Sequence, residues 1–550
     1  MTRILQSLVI WLSSCALLTT CLAAEPAQEE DPFDGPPAKA KESAWKNAAD
    51  AREDARGIRS LASIPDSQVQ IVQSPGESPY VAIGEDIYDV IQGKVIGKAP
   101  RDKIPNEFGW FGALSPNGKL LAYQHRDKSK VLQPKSIRVI DTQDQQQKHE
   151  FKSATDSSIE VLHLSFTQYN HLVVGEQISS DARFHIVNME TGKVMKSLFI
   201  EKENFQAARI AFNRSGQYMA AVVGSKLVVY DMTQGKPVAQ MECPASELKT
   251  GIYTFVSALA FSPDSTELAA LFSTGEYRLV IWNKTGQIVE SHELGTTVAK
   301  TVKSLQWSPE GKAVLINDDY LLDRKLKAVA WICHAPAFHS FFAHRFLDGE
   351  HLLATRGDFQ KGDLISVRIP RQGIDAAAAA LGNGGKALLK PGDTVRLEMQ
   401  VGQTYVSGAS VSQELQKQIG ERLALGGLLI GDGGGLTLQV NYQETLGKRL
   451  RVVEKPRLGQ PGFATGQTVQ DTLGVLEAKL VTKEGGKVLW ENKSEFGTPT
   501  YIEAATVNDA VVREKMFEMI THSIRHTPFP YFLSADPKAP SLPIIVDLNK

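Results

Sequence analysis

The sequence predicts a large all-β domain built from repeated four-stranded sheets, followed by a smaller α+β domain. Three observations support this prediction. A turn motif recurs through the first two-thirds of the chain, an apolar residue followed by Asp or Asn closes most repeats, and the pattern changes after an alanine-rich stretch. Because these short motifs recur in one fixed order, the repeat indicates the architecture more strongly than any single motif does.

The turn motif places Ser-Pro, or an equivalent pair, between two β-rich runs. Proline presets φ for the first corner of a turn, and Asp, Asn and Gly favour the later corners, so the motif predicts a strand, a tight turn and a second strand. Clear copies begin at Leu114, Phe212, Phe261 and Trp307, and weaker copies begin at Ser74, Phe166 and Phe346.

The second motif predicts the end of a third strand in each repeat. Its copies are Tyr88-Asp89, Ile140-Asp141, Val187-Asn188, Tyr230-Asp231, Trp282-Asn283 and Leu322-Asp323. The short polar side chain can accept hydrogen bonds from amides of the following turn, and a glycine there tolerates a positive φ. Glycines follow four copies, at Gly93, Gly192, Gly235 and Gly286.

These strands recur with a period of roughly 40 to 50 residues, which is typical of a four-stranded propeller blade. We therefore predict a β-propeller over residues 61–372, with seven blades favoured over six or eight. A pair of β-sandwiches or an irregular all-β domain with similar turns is the alternative, but sandwiches do not predict the same motifs in one order.

The repeats resemble the WD40-like β-propeller family in its divergent bacterial form. The resemblance extends from near Gln68 to Pro370, and it depends on repetition: only Trp282-Asn283 approaches the Trp-Asp dipeptide, and no repeat opens with Gly-His. It implies a rigid disc that presents loops and a central mouth to partners. The last repeat lacks a fourth strand, and we expect a segment near residues 58–64 to supply it and close the ring.

The length and charge of the chain exclude some classes of protein. A chain of 550 residues is too long for one core, so at least two domains are expected. The net charge of -2 and the sparse aromatic residues argue against a surface that binds nucleic acid.

The first residues predict export. Arg3 precedes a mostly apolar stretch from Ile4 to Thr20, and small residues up to Ala24 precede a polar continuation. This order is typical of a signal peptide over residues 1–24, and an uncleaved membrane anchor is the alternative. Leu12–Cys15 and Leu18–Cys21 each resemble a lipobox, so a lipid anchor is a further, disfavoured alternative. We expect a periplasmic or extracellular protein.

The remaining cysteines, Cys243 and Cys333, fall in different repeats. They are expected to lie too far apart in a propeller to form a disulfide.

Two linkers divide the rest of the chain. Residues 25–60 are predicted as a flexible linker containing a short helix, because residues 25–41 are acidic and proline-bearing and helix formers follow between Glu42 and Leu61. Residues 373–390, with five consecutive alanines and several glycines, are predicted as the second linker.

Residues 391–550 are predicted as a compact α+β domain. Strands are expected at 393–401, 436–442, 473–482 and 487–491, and amphipathic helices at 412–425 and 507–524. The order resembles envelope α/β modules such as the amino-terminal domain of TolB, which stands before its propeller rather than after it.

Residues 431–435 (Gly-Asp-Gly-Gly-Gly) resemble a phosphate-binding loop at first sight. A strand follows and no Gly-Lys-Ser/Thr is present, so the sequence favours a strand connection.

Five Cys and His residues form the densest group of potential metal ligands in the sequence. This Cys/His cluster comprises Cys333, His334, His339, His344 and His351. Its spacing matches neither one helix face nor one strand face, and zinc sites usually show short paired spacings, so histidines in blade loops are favoured.

Motifs for hydrolysis are missing from the sequence. Neither Gly-x-Ser-x-Gly nor His-Glu-x-x-His occurs. Asp318 and Asp319 are adjacent in a predicted turn, a spacing that does not favour an acid/base pair.

Together these observations favour an exported, non-catalytic propeller scaffold that binds other proteins or peptides of the cell envelope, with no cofactor or metal expected. The alternative is an enzyme, or a binder of small ligands or polysaccharides, that uses the central channel. The sequence does not place the binding surface.

Overall fold

The computed structural model describes the greater part of the chain from residue 53 onward. The described residues are 53–54, 56–64, 71–73, 78–83, 85–99, 112–125, 136–152, 160–178, 181–200, 205–223, 226–242, 255–273, 277–295, 298, 304–334, 344–357, 362–382, 387–402, 404, 408–453, 464–497, 508–527, 529–535 and 541–548. The predicted signal peptide, most of the first linker and Cys243 lie outside these residues.

Seven antiparallel sheets form a seven-bladed β-propeller, as the repeats predict. Strand β1 (Ile58–Ile64) precedes the first blade. Blades 1 to 3 contain β2 (Ile71–Gln73), β3 (Tyr80–Ile83), β4 (Asp86–Asp89) and β5 (Lys94–Lys98); β6 (Gly112–Leu114), β7 (Leu120–His125), β8 (Ser136–Asp141) and β9 (Gln147–Lys152); and β10 (Glu160–Phe166), β11 (Leu172–Ile178), β12 (Asp181–Val187) and β13 (Val194–Ile200).

Blades 4 to 7 repeat the arrangement. They contain β14 (Phe205–Phe212), β15 (Tyr218–Val223), β16 (Lys226–Asp231) and β17 (Lys236–Glu242); β18 (Phe255–Phe261), β19 (Glu267–Ser273), β20 (Tyr277–Asn283) and β21 (Ile288–Gly295); β22 (Leu305–Trp307), β23 (Ala313–Ile316), β24 (Tyr320–Asp323) and β25 (Ala328–His334); and β26 (Arg345–Phe346), β27 (His351–Gly357) and β28 (Gly362–Arg368). The first strands of blades 1 to 6 contact one another in succession, which places them nearest the central axis.

Both sequence motifs form the turns that they predict. In blade 2, the Gly118 amide donates to the Ser115 carbonyl at 2.9 Å and Gly118 has a φ of 70°, a conformation that a side chain would strain. In blade 1, Asp89 Oδ1 accepts from the amides of Ile91 and Gln92, each at 3.0 Å. A strand therefore ends at the apolar-Asp pair because the carboxylate satisfies the amides of the next turn.

Strand β1 closes the ring, as expected. It pairs antiparallel with β28, so that Ile58 lies opposite Val367 and Ile64 lies opposite Gly362. Blade 7 thus takes its outermost strand from the amino-terminal side and its other three from the carboxyl-terminal side. Residues 58–61 are consequently strand and not part of the helix expected between Glu42 and Leu61.

The predicted linker 373–390 contains a helix, α1 (Arg371–Gly382). Alanine has the highest helix propensity, and Pro370 directly precedes the first turn, where its missing amide costs nothing. Ile374 and Ala377 are buried in one apolar cluster with residues of blades 6 and 7. The alanine run therefore packs against the propeller instead of acting as a flexible connection.

The chain after α1 forms a mixed five-stranded sheet with two long helices. Its remaining elements are β29 (Ala387–Leu389), β30 (Thr394–Val401), α2 (Gly408–Leu425), β31 (Leu429–Ile430), β32 (Leu436–Val453), β33 (Ala464–Thr482), β34 (Val488–Phe496), α3 (Asp509–His526), β35 (Leu533–Ser534) and β36 (Ile544–Asp547). The sheet order is β31-β30-β32-β33-β34, and the helix positions coincide with those predicted to within a few residues.

This carboxyl-terminal part has an apolar core of its own. Leu415, Ile419 and Leu423 of α2 are buried against Leu438 and Val440 of β32, and α3 contributes to the same cluster. The helical spacing that predicts α2 therefore identifies its buried face. Leu425, the last residue of α2, is 38% exposed.

Strand β36 differs from the predicted division of the chain. It lies within residues 391–550, yet it pairs in parallel with β25, Trp331 opposite Ile544, and extends blade 6 to five strands. An outermost blade strand has unpaired backbone groups, and β36 satisfies them. The carboxyl-terminal segment is therefore hydrogen-bonded to the propeller.

We predict that truncating Ile58 destabilises the propeller, because this side chain is 4% exposed and belongs to the cluster at the ring closure. Ile58→Ala should lower the free energy of unfolding by about 2–5 kcal/mol, measured by urea denaturation with tryptophan fluorescence. Ser60→Ala, on the exposed side of β1, is the control and should change it by about 0.5 kcal/mol or less. An Ile58→Ala protein as stable as the control would contradict this role of β1.

Candidate functional site

A buried polar turn lies between β23 and β24 in blade 6. Asn317 and Asp318 have φ values of 49° and 67°, and the Asp319 amide donates to the Ile316 carbonyl at 3.3 Å. Asn and Asp tolerate this left-handed conformation better than other side chains. Asn317, Asp318 and Asp319 are all at most 5% exposed, whereas a turn between strands usually faces solvent.

Side chains around this turn bond to it closely. The Ser304 hydroxyl donates to Asp318 Oδ1, and the Ser304 amide donates to Asn317 Oδ1 at 3.3 Å. The Asn317 amide group in turn donates to the Val298 carbonyl. These bonds fix the chain that leads into β22 against the turn that follows β23.

His344 joins the two aspartates in one cluster. Its Nδ1 lies 2.7 Å from the Asp318 carbonyl oxygen and 3.9 Å from a carboxylate oxygen of Asp319, and its side chain is 4% exposed. In the sequence, 24 residues lie between Asp319 and His344, so nothing in it places the histidine beside the Asp318-Asp319 pair. The structure brings them together by placing the start of blade 7 beside the turn of blade 6.

The other members of the predicted Cys/His cluster do not join His344 around one centre. Cys333 is fully buried in the apolar cluster of blades 6 and 7, and His351 binds different partners in blade 7. His334 begins the segment whose side chains are not described, and His339 lies outside the described residues. Among the residues that the structure describes, no three His, Cys, Asp or Glu side chains are placed to hold a metal ion.

A second charged cluster lies at the ring closure. Glu53, just before β1, places one carboxylate oxygen 3.3 Å from His351 Nε2 and the other 3.1 Å from Arg368 Nε. His351 Nδ1 faces Asp348 at 3.1 Å. The side chains of Glu53, His351 and Asp348 are at most 9% exposed, so the contacts among these three are largely shielded from solvent. They connect the amino-terminal strand to β27 and β28.

The environment of Asp348 favours its charged form. Burial by itself would raise the pKa of this carboxyl, but the hydrogen bond and charge of His351 and the amides of Glu350 and His351 outweigh burial and lower the pKa below its usual value. Both amides donate to Asp348 Oδ1 at 2.7 Å. The carboxylate therefore stabilises the turn between β26 and β27 when it is ionised.

Ionisable groups near the central axis also make contacts between blades. His163 of β10 lies 2.8 Å from Ser165 Oγ, its ring centroid is 4.9 Å from that of Phe212 in blade 4, and burial lowers its pKa to about 4. Arg345 of β26 donates to the carbonyls of Ser78 and Tyr80 in blade 1 at 2.9 and 3.1 Å. Burial lowers the pKa of Arg345 to about 9, so its guanidinium remains charged at neutral pH.

The exposed apolar residues of the propeller lie mainly on outer blade strands. They are Val95 on β5, Val194 and Phe199 on β13, Val238 on β17, Ile288 and Val289 on β21, and Ile545 on β36, with exposed fractions of 39% to 52%. Within the described ranges, no strand pairs with the outer side of β13, β17 or β21. Unpaired strand edges with apolar side chains are typical sites of protein association.

Neither the exposed apolar residues of the outer blade strands nor β36 is predicted from the sequence. Ile544 to Asp547 form an apolar run ending in Asp, which is the same motif that ends the third strand of most blades. Because this run lies far from any repeat in the sequence, its similarity to the blade motif does not by itself predict a blade strand. The exposed apolar residues on outer strands lie in short strands that also contain polar residues, so the sequence does not distinguish them from residues of a half-buried strand.

An apolar pocket lies inside the carboxyl-terminal part. Leucines, Val395, Trp490 and Phe529 line it, and no polar atom reaches its surface. A pocket without polar groups does not orient a substrate for chemistry. The loop 431–435 connects β31 to β32, as the sequence favours, and a side chain at Gly434 would collide with the Thr394 carbonyl.

No protein-family model matches this chain, and no curated protein sequence matches it significantly. None of the helices in the described residues has the length and apolar character needed to cross a membrane. The fold of the first two-thirds of the chain is therefore established by its own geometry, as a seven-bladed β-propeller.

We predict that Asp348→Asn destabilises the protein at neutral pH by about 1.5–3 kcal/mol, because the neutral side chain replaces a charged acceptor of several hydrogen bonds. A carboxyl whose pKa is lowered by folding contributes stability above its unfolded pKa of about 3.9, and that contribution is lost as the pH falls through the lower folded value. The difference between the variant and the unaltered protein should therefore shrink below about pH 4.

Urea denaturation at a series of pH values measures both effects. Asp432→Asn is the matched control, since the Asp432 side chain is 99% exposed and its removal should leave the unfolding midpoint unchanged. A constant difference between Asp348→Asn and the unaltered protein from neutral to acidic pH would contradict the assigned role of the charge.

Proposed function

We propose that this protein is an exported, non-catalytic propeller scaffold that binds other proteins of the cell envelope through the outer strands of blades 3, 4 and 5. We also propose that its propeller is a divergent member of the WD40-like family and that residues 391–550 form a separate α+β domain apart from β36. The proposed export rests on the amino-terminal 24 residues, which have the order of a signal peptide.

The observation that carries the proposal is the pairing of β36 with β25. A blade edge of this protein binds a strand that is not part of the ring, through parallel backbone pairing from Trp331 to His334. Strand addition to a sheet edge is also a common way in which proteins bind extended segments of other proteins. Blade 6 thus provides an intramolecular example of the binding that we propose for blades 3 to 5.

The apolar side chains on these blades support the same conclusion. Val194 and Phe199 on β13 are both 51% exposed, and Val238 on β17 is 50% exposed. Proteins that avoid association usually place charges on such edges, above all lysine. Here large apolar residues lie beside open backbone groups on neighbouring blades, which favours contact with another protein.

The surroundings of the buried ionisable groups support a non-catalytic role. Arg345 and His351 bond to backbone carbonyls or carboxylates of neighbouring segments, and His344 bonds to the turn at Asp318. His163 packs against Phe212 of the next blade. Groups held in this way stabilise contacts between blades, whereas a general acid or base must reach a substrate.

We predict that lysine substitutions on the outer strands reduce partner binding. The mature chain with Val194→Lys, Phe199→Lys and Val238→Lys should recover its partners from an envelope fraction at least about tenfold less efficiently, since charges on an edge oppose strand addition and apolar contact. Val95→Lys on blade 1, at a side chain that is 44% exposed, is the control and should leave recovery unchanged. Quantitative mass spectrometry of the recovered proteins provides the measurement.

Equal recovery by the triple variant and the unaltered protein would show that these strands are not the binding surface. Recovery of no specific partner, together with turnover of a substrate in a hydrolase panel, would replace the scaffold by the alternative, an enzyme that uses the central channel.

A further inference from the structure

Strands β32 and β33 extend well beyond the sheet to which they belong. On one side, β30 pairs with β32 only as far as Tyr442, and on the other side β34 pairs with β33 only from Gly474 onward. Residues 443–453 and 464–473 continue as a two-stranded antiparallel ribbon. We call these two segments the ribbon. A two-stranded ribbon leaves both of its outer edges without a strand partner unless another element covers them.

The first residue of helix α3 bonds to one edge of the ribbon. The Gln470 amide of β33 donates to Asp509 Oδ1, at the start of α3, at 2.7 Å. On the opposite edge, no strand among the described residues pairs with β32 after Tyr442. Among the described residues, the backbone of β32 from Arg449 to Arg451 therefore has no strand partner on this side, which we call the open edge.

The open strand carries a concentration of positive charge. Lys448, Arg449 and Arg451 are exposed, and residues 446–453 contain no acidic residue, although the whole chain has a net charge of -2. Arg449 Nε donates to Thr468 Oγ1 at 3.0 Å, which holds its guanidinium along the ribbon. Across the described parts of the chain, none of these three side chains forms an ion pair with a carboxylate. The charge complement of this edge is therefore an acidic ligand.

The register distributes the side chains over the two faces of the ribbon. Leu446 pairs with Thr472 and Arg449 with Gln470, so one extra residue in β32 forms a bulge between them. Thr472, Gln470 and Thr468 lie on one face of β33 because they are two residues apart. Arg449 and Arg451, opposite Gln470 and Thr468, share that face with Leu446.

The other face of the ribbon carries apolar side chains from both strands, together with Asp471 of β33. Leu450 pairs with Val469, which is an odd number of residues from Thr472 and therefore lies on the opposite face. Leu473 lies on this face too, and Leu450 and Leu473 are 40% and 36% exposed. Along β32, basic and apolar side chains thus alternate between the two faces from residue 449 to residue 451.

We propose that the open edge of β32 binds an extended segment of a partner protein in which acidic and apolar residues alternate. The segment adds a strand next to β32, with its acidic side chains beside Arg449 and Arg451 and its apolar side chains beside Leu450. Backbone hydrogen bonds provide affinity in such additions, and the alternating side chains provide specificity. Opposite charges on neighbouring strands stabilise the pairing.

An anionic membrane is the other class of surface that attracts basic and apolar residues. It fits the ribbon less well, because Leu446 lies on one face and Leu450 on the other, and a flat bilayer contacts only one face. A second copy of the same ribbon would place like charges together, which opposes pairing. The site is separate from the outer blade strands proposed above as the binding surface of the propeller, so it goes beyond that function.

Binding of a labelled peptide to the mature chain tests this inference. The probe is a fluorescent ten-residue peptide that alternates Glu and Val, measured by anisotropy, with a peptide of the same composition in scrambled order for comparison. We expect the alternating peptide to bind at least about tenfold more tightly than the scrambled one, and its affinity to fall as salt rises. Arg449→Glu with Arg451→Glu should weaken its binding at least about tenfold.

Lys483→Glu with Lys487→Glu is the matched control. Both lysines are exposed at the turn between β33 and β34, and their substitution changes the net charge by the same amount. The control should bind the alternating peptide as the unaltered protein does, and unchanged melting temperatures in both variants will show that the fold is intact.

Three outcomes would overturn the inference. They are equal binding by the arginine variant and the control, equal binding of the two peptides, and binding of phosphatidylglycerol vesicles without binding of either peptide. The second outcome would indicate charge attraction without strand addition, and the third would assign the ribbon to a membrane surface. None of them affects the test of the outer blade strands.

Discussion

Closure of the ring is the constraint on which the rest of this structure depends. A four-stranded blade cannot bury both of its faces alone, so each blade is stabilised by its two neighbours, and blade 7 must meet blade 1. The pairing of β1 with β28 completes blade 7, and Glu53 binds His351 and Arg368 at the same place. Arg345 then connects blade 7 to backbone carbonyls of blade 1. Charged groups are thus concentrated at the ring closure, where segments far apart in the sequence contact each other.

The carboxyl-terminal part is attached to the propeller by more than a linker. Helix α1 and residues around Phe532 and Leu542 share an apolar cluster with blades 6 and 7, β36 extends blade 6, and the Tyr531 hydroxyl donates to the Val329 carbonyl at 3.0 Å. Arg422 of α2 donates to the Thr527 carbonyl, and burial lowers its pKa to about 10. The two parts are therefore packed and hydrogen-bonded together at blade 6.

The buried polar groups and the exposed groups of this protein differ in the contacts that they make. Removing a charge from water is costly unless hydrogen bonds replace those of the solvent, and His351, Asp348 and Arg345 have such bonds to neighbouring blades or turns. The exposed groups differ in kind: they are apolar side chains on blade edges and basic residues on the ribbon. Surfaces of this kind recognise other macromolecules through backbone edges, side-chain shape and charge.

The sequence by itself determined the seven-bladed propeller, its turns, the closing strand and the approximate positions of most carboxyl-terminal elements, because these depend on local periodicity and turn chemistry. Only the tertiary structure decided that the alanine run packs as α1, that residues 544–547 extend blade 6, and that His344 meets Asp318 and Asp319. It also decided which strand edges stay open. These features depend on contacts between segments distant in sequence, and a local pattern of apolar and polar residues does not specify which edge or face its partner will cover.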